Sequence, residues 1–154
     1  MSKGFSVSIL LIALVLVTLV LIPLRAGQPY HPPCIGNMKQ TALGLVMYAS
    51  DYDDRLPKAA KWMADIEPYT KGQYLRCGLL KEGEYGIAMN RFLSGVNTAT
   101  QPDQDKQPMI YECSDLAKNV SEYLPQFAFE RHPGIINLAY LDGQAKTIRV
   151  QPAQ

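Results

Sequence analysis

Apolar side chains run almost unbroken from Phe5 to Leu24, and the pattern then changes period twice before the chain ends. No charged side chain stands between Lys3 and Arg25. At about 1.5 Å rise per residue the run covers roughly 30 Å, the hydrocarbon thickness of a bilayer. In lipid the backbone polar groups of such a run pair only within a helix, so residues 1–25 are expected to form a transmembrane anchor. Ser6, Ser8 and Thr18 can bond the preceding turn of their own helix and signal no ion pathway. A cleaved signal peptide is the competing reading. The length of the apolar run, and Leu24-Arg25 where a small-x-small cleavage site belongs, favour an uncleaved anchor.

Residues 26–33 read Ala-Gly-Gln-Pro-Tyr-His-Pro-Pro, a Pro-rich linker that cannot continue a helix. From Cys34 to Tyr52 the period becomes helical. Ile35, Met38, Ala42, Leu45, Val46, Ala49 and Tyr52 fall on one face, and Asp51-Tyr52-Asp53-Asp54 with Pro57 marks the end. Those carboxylates lack the alternating register and closing glutamate of a calcium loop, so they read as a solvated helix end. Trp62, Ile66 and Tyr69 give a short second helix, interrupted by Pro68 and Gly72, that covers the same sheet as the first.

Strand period follows. Tyr74–Cys77 is a short strand candidate, Glu84–Ser94 is strand or irregular, Val96–Gln107 is a polar surface loop, and Met109–Cys113 is a strand. Val120–Phe129 is irregular, broken by Pro125. Ile135–Leu141 and Gln144–Val150 are two strands joined by Asp142-Gly143, a dipeptide suited to the positive backbone angles of a tight hairpin, with Ile136, Leu138 and Tyr140 on one face. The order predicts an α+β domain over residues 34–154, with a helix packed on an antiparallel sheet.

At 154 residues there is room for one such core after the anchor. Beyond residue 25 the chain holds 13 basic and 14 acidic side chains, a formal charge of −1, which argues against nucleic acid as a partner. Cys34, Cys77 and Cys113 lie far apart without a Cys-x-x-Cys, so no metal knuckle is expected. In an oxidising compartment two of them can pair; three unlinked buried thiols is the alternative. The histidines are His31, in the linker, and His132, and there is no nucleophile elbow, phosphate loop or metal-ligand spacing. The expectation is a protein that is not an enzyme, with no cofactor, no metal and no small-molecule substrate.

Several segments resemble one family. Cys34-Ile35-Gly36-Asn37-Met38-Lys39-Gln40, followed by Tyr48 to Pro57, is similar to the signature after the anchor in bacterial pseudopilin-like proteins of the prepilin-type processing-associated family. That family also carries a His, nine residues, then Asp-Gly, matched here by His132, Asp142 and Gly143. Trp62 to Tyr69 and Leu75-Arg76-Cys77 resemble its Trp-x-x-x-x-x-Pro-Tyr and Phe-x-Cys-Pro segments. The resemblance implies a type IV pilin-like layout, with the domain outside the cytoplasm, and a Cys34–Cys77 disulfide. His132 and Asp142 then read as a structural motif, the imidazole bracing the hairpin by bonding backbone or Asp142.

The N-terminus departs from the pilin pattern. Lys3-Gly4-Phe5 resembles the site cut by prepilin peptidase, which makes Gly4 and Phe5 a candidate processing site. Ile9 stands where pilins carry the acidic residue that pairs with the new amine, and an unpaired ammonium in a low-dielectric setting is costly. Two functions are therefore expected. One is a structural, pilin-like protein of the inner (cytoplasmic) membrane, acting by protein–protein contacts in a pilus or secretion-type assembly. The other is an accessory subunit of a large integral-membrane complex, photosynthetic or respiratory. Both imply integral-membrane protein partners and the lipid bilayer.

Overall fold

The structure is a computed structural model that describes residues 34–70, 72, 74–123, 131–132 and 134–149. The expected anchor (1–25), the linker (26–33), the Gly4-Phe5 site and His31 lie outside the described residues. Among the described residues no helix is long and apolar enough to cross a membrane.

Helix α1 spans Cys34–Asp51 and helix α2 Trp62–Thr70. Five strands follow among the described residues: β1 Ile87–Asn90, β2 Pro108–Glu112, β3 Ser121–Glu122, β4 Ile135–Tyr140 and β5 Ala145–Arg149. They form one sheet in the order β3-β1-β2-β4-β5. The domain is therefore α+β, with α1 packed on β2, β4 and β5 and α2 packed on α1.

The sheet departs from the antiparallel expectation at one edge, where β3 pairs with β1 in parallel through two residues. The remaining neighbours are antiparallel. Between β2 and β4 the register slips at Pro108/Ile110. A bulge of this kind lets two consecutive side chains face the same way, and Met109 and Ile110 both enter the core beneath α1.

Burial on α1 follows the helical period, with Met38, Ala42, Leu45 and Ala49 inside. Two members of the inner face are ones that hydrophobicity did not mark. Thr41 is fully buried, its hydroxyl donating to Asn37 O and Tyr74 O at 2.9 and 2.7 Å. Gly44 is buried because α2 crosses there, and a Cβ at this position would stand 2.5 Å from the Thr70 methyl. Tyr52, expected on the inner face, is instead exposed and stacks on Tyr48 with ring centroids 4.2 Å apart.

Helix α2 retains Pro68 in its last turn rather than ending before it. Its start is capped from a distance. Asn119 Oδ1 accepts from Met63 N and Ala64 N at 2.8 and 3.3 Å, and the Trp62 indole donates to Val120 O at 2.9 Å. These bonds fasten the segment entering β3 to the beginning of α2.

Tyr74–Cys77 is not a strand. Two of its carbonyls are bonded by α1 side chains, Thr41 Oγ1 donating to Tyr74 O at 2.7 Å and Asn37 Nδ2 to Arg76 O at 2.9 Å, while Cys77 N donates to Tyr85 O. Carbonyls bonded in this way have no need of a sheet neighbour. The polar stretch after Val96 contains two short 3-10 turns, Thr98–Thr100 and Gln104–Lys106.

The β4–β5 hairpin has a three-residue loop rather than a two-residue one. Gly143 N donates to Tyr140 O and Tyr140 N to Gln144 O, at 2.9 and 2.8 Å. Gly143 has φ +82°, whereas Asp142 is absent from the positive-φ residues. A type I turn closed by a left-handed glycine fits this pattern. Ile136 and Leu138 lie with Ala88, Tyr111 and Cys113 in a second apolar cluster, against which Tyr140 packs.

Candidate functional site

The richest polar chemistry among the described residues gathers where α1 begins. Cys34, the first residue of α1, is disulfide-bonded to Cys77 across 43 residues of sequence. His132 enters just before β4 and sets Nε2 3.4 Å from Cys77 Sγ and 3.0 Å from Glu112 Oε1. Glu112 ends β2, the strand beside β4.

The strand period explains how Glu112 comes to face the disulfide. Tyr111 turns to the second apolar cluster, so Ile110 and Glu112 turn toward α1. Asn137 of β4 and Thr147 of β5 continue the row, being Cα partners across the ladder. Asn137 Nδ2 donates to Glu112 Oε2 at 2.8 Å, and Thr147 Oγ1 donates to Asn137 Oδ1 at 2.6 Å. A side-chain chain thus crosses three strands, from hydroxyl to amide to carboxylate to imidazole to sulfur.

Cys77 and Glu112 are buried, and the His132 side chain is 12% exposed. Burial pushes the Glu112 carboxyl above its ordinary range, opposed by the His132 charge, the Asn137 amide and the nearby Arg131 guanidinium. Arg131 itself donates to Gly86 O and Cys113 O at 2.9 and 2.5 Å, holding the residues before β4 against the β1–β2 end of the sheet. Cys113 remains a free, buried thiol whose pKa burial raises to about 12. It is an inert small hydrophobe at neutral pH.

The bracing expectation gave His132 the backbone or Asp142 as partner; among the described residues its imidazole meets Glu112 and Cys77 instead of Asp142. His132 and Asp142 lie beyond opposite ends of β4, whose six residues alone span about 20 Å at roughly 3.3 Å per residue. Asp142 Oδ1 instead accepts from Gln144 N at 2.9 Å inside its own turn. His132 belongs to the disulfide, Asp142 and Gly143 to the hairpin.

Four donor-bearing residues, Cys34, Cys77, Glu112 and His132, bring their ligand atoms within 4.8 Å of one another. They come from α1, the bend after α2, the end of β2 and the approach to β4. No local spacing connects them, which is why motif reading finds no ligand set. The one legible signal is the strand alternation that turns Glu112 and Asn137, both polar, into a buried layer. In the disulfide form neither Cys34 nor Cys77 offers a free thiol, since both sulfurs are in the S–S bond. No protein-family model, curated relative or solved structure matches this chain.

Proposed function

We propose that this chain is a non-catalytic, membrane-anchored protein whose pilin-like α+β domain sits outside the cytoplasm and acts through protein–protein contacts in a pilus or secretion-type assembly. The observation that carries this reading is the covalent fastening of Cys34. It is the first residue after the Pro-rich linker, and it is tied by disulfide to a bend that is itself bonded to α1 through Asn37 and Thr41. A pull arriving along the linker would pass into a cross-linked unit instead of peeling α1 from its first turn. Such a link suits a domain held by one end. A disulfide also persists in an oxidising compartment rather than the cytosol.

Two further features support it. The buried sulfur, imidazole and carboxylate are spent on one another, so the site reads as a structural pin. On the outward face of α1, Leu43 and Met47 are one turn apart and 39% and 51% exposed, apolar surface that suits protein contact. The absence of the pilin acidic residue, with Ile9 in its place, favours the second reading: an uncleaved accessory subunit of an integral-membrane complex.

The test uses the native chain in its membrane. Carbonate-resistant membrane association, together with cross-links from a photoreactive residue at Met47 to other proteins, is the expected outcome. Release into the aqueous fraction as a lone monomer overturns the proposal. Mass spectrometry of the N-terminus separates the two readings: N-methyl-Phe5 for the pilin route, an intact N-terminus for the subunit.

A further inference from the structure

The cluster at the start of α1 has the chemistry of a closed metal site once its disulfide is open. We propose that the reduced protein binds one zinc-class divalent ion through Cys34 Sγ, Cys77 Sγ, His132 Nε2 and Glu112 Oε1. Disulfide and metal would then be alternative links between the same segments, selected by the redox state of the surroundings.

The geometry comes first. In a tetrahedral zinc site with Zn–S about 2.3 Å and Zn–N or Zn–O about 2.0–2.1 Å, neighbouring ligand atoms stand ~3.3–3.8 Å apart. His132 Nε2 is already 3.4 Å from Cys77 Sγ and 3.0 Å from Glu112 Oε1, and all four ligand atoms share a 4.8 Å envelope. Only the covalent bond between the sulfurs keeps that pair closer than a shared ion requires. With the two Cα atoms 4.9 Å apart, rotation about the cysteine side-chain bonds is the movement that separates the sulfurs in this proposal.

The donor set comes second. Two soft thiolates and a borderline imidazole outnumber the one hard carboxylate, a set that suits zinc or cobalt(II) and disfavours calcium and magnesium, which take oxygen ligands. All four ligands are protein groups, so a tetrahedral ion would have no open position, the mark of a structural rather than catalytic site. A supporting layer is present as well. Asn137 holds the second oxygen of Glu112 and Thr147 holds Asn137, orienting the carboxylate as outer-layer partners do in metal sites.

The steps balance simply. A dithiol reductant passes its two hydrogens to the S–S bond and closes to its own disulfide, or a phosphine takes oxygen from one water, whose two protons go to the sulfurs, and becomes the phosphine oxide; either way the S–S bond becomes two thiols. Metal entry then displaces those two protons to solvent and leaves two thiolates, a carboxylate and a neutral imidazole on the ion.

The test uses the full chain in mild detergent, stripped of metal, reduced with a phosphine and titrated with Co²⁺ without oxygen. The expected result is one Co²⁺ per chain with a thiolate-to-cobalt charge-transfer band and the visible bands of a tetrahedral site, both bleached by Zn²⁺. The oxidised chain should show neither. His132→Ala and Glu112→Gln should each weaken binding by at least about 10–100-fold, the range typical of even outer-layer changes. Circular dichroism accompanies each titration. If reduction loosens the fold, Zn²⁺ should restore the spectrum. A reduced chain that takes up no Co²⁺, that binds equally well as the H132A and E112Q variants, or that Zn²⁺ fails to refold overturns the proposal.

Discussion

Removal of the Cys34–Cys77 cross-link tests how this domain resists unfolding. The bond closes a loop of 43 residues that spans the whole of α1 and of α2. In the chain-entropy treatment, a loop of that length removes about 13 cal/mol/K from the unfolded ensemble, or about 4 kcal/mol at 25 °C. That is a large share of the roughly 5–15 kcal/mol that holds a typical domain together. Cys34→Ala with Cys77→Ala is the appropriate perturbation, because alanine leaves no buried hydroxyl beside His132. With a guanidinium slope of about 4 kcal/mol/M, the unfolding midpoint should fall by about 1 M. Trp62, the single tryptophan, is fully buried and bonded through its indole, so its fluorescence reports the transition in the full chain. An unchanged midpoint, within roughly 0.2 M of the disulfide-bonded protein, would refute the reasoning. It would mean that the closed loop is already restricted in the unfolded chain.

Other predictions follow from single contacts. Asn119→Ala should cost about 1–2 kcal/mol by uncapping α2, whereas Asn119→Asp keeps the acceptor and should be near neutral, both read by the same fluorescence titration. Gly44→Ala should gain about 1 kcal/mol of helix propensity yet lose about 2 kcal/mol to the Thr70 methyl, for a net loss. In a Thr70→Ser background, which keeps the hydroxyl and removes the methyl, the same change should stabilise; equal effects in both backgrounds would contradict the packing argument. The Tyr69 phenol donates to Asp51 at 2.7 Å, and this bond pushes its pKa up to about 12. In Asp51→Asn it should fall back toward the ordinary value of about 10, followed by NMR of labelled tyrosine rings.

Local period was enough to reveal the elements whose burial depends on one partner surface. The α1 stripe of Met38, Ala42, Leu45 and Ala49 is legible because one side packs on the sheet and the other meets solvent. The β4–β5 hairpin is legible because Gly143 supplies a left-handed angle that few other residues adopt cheaply. The Tyr74–Cys77 bend misleads for the converse reason. Its apolar residues look strand-like, but its carbonyls are claimed by Asn37 and Thr41 from a helix more than thirty residues away.

The site divides along the same line. Residue pattern and resemblance single out His132, Cys34 and Cys77, and the dipeptide Asp142-Gly143 reads as a turn. The folded arrangement is what brings His132 to Glu112 and Cys77 instead of Asp142, and lets Asn137 and Thr147 complete the row. Helix and strand periods are short-range properties, set by the backbone geometry of a few neighbouring residues. Four ligand atoms from four separated segments come within 4.8 Å only through the order in which strands pair and the face on which a helix lands. Those choices depend on long-range packing, which no local spacing of residues records.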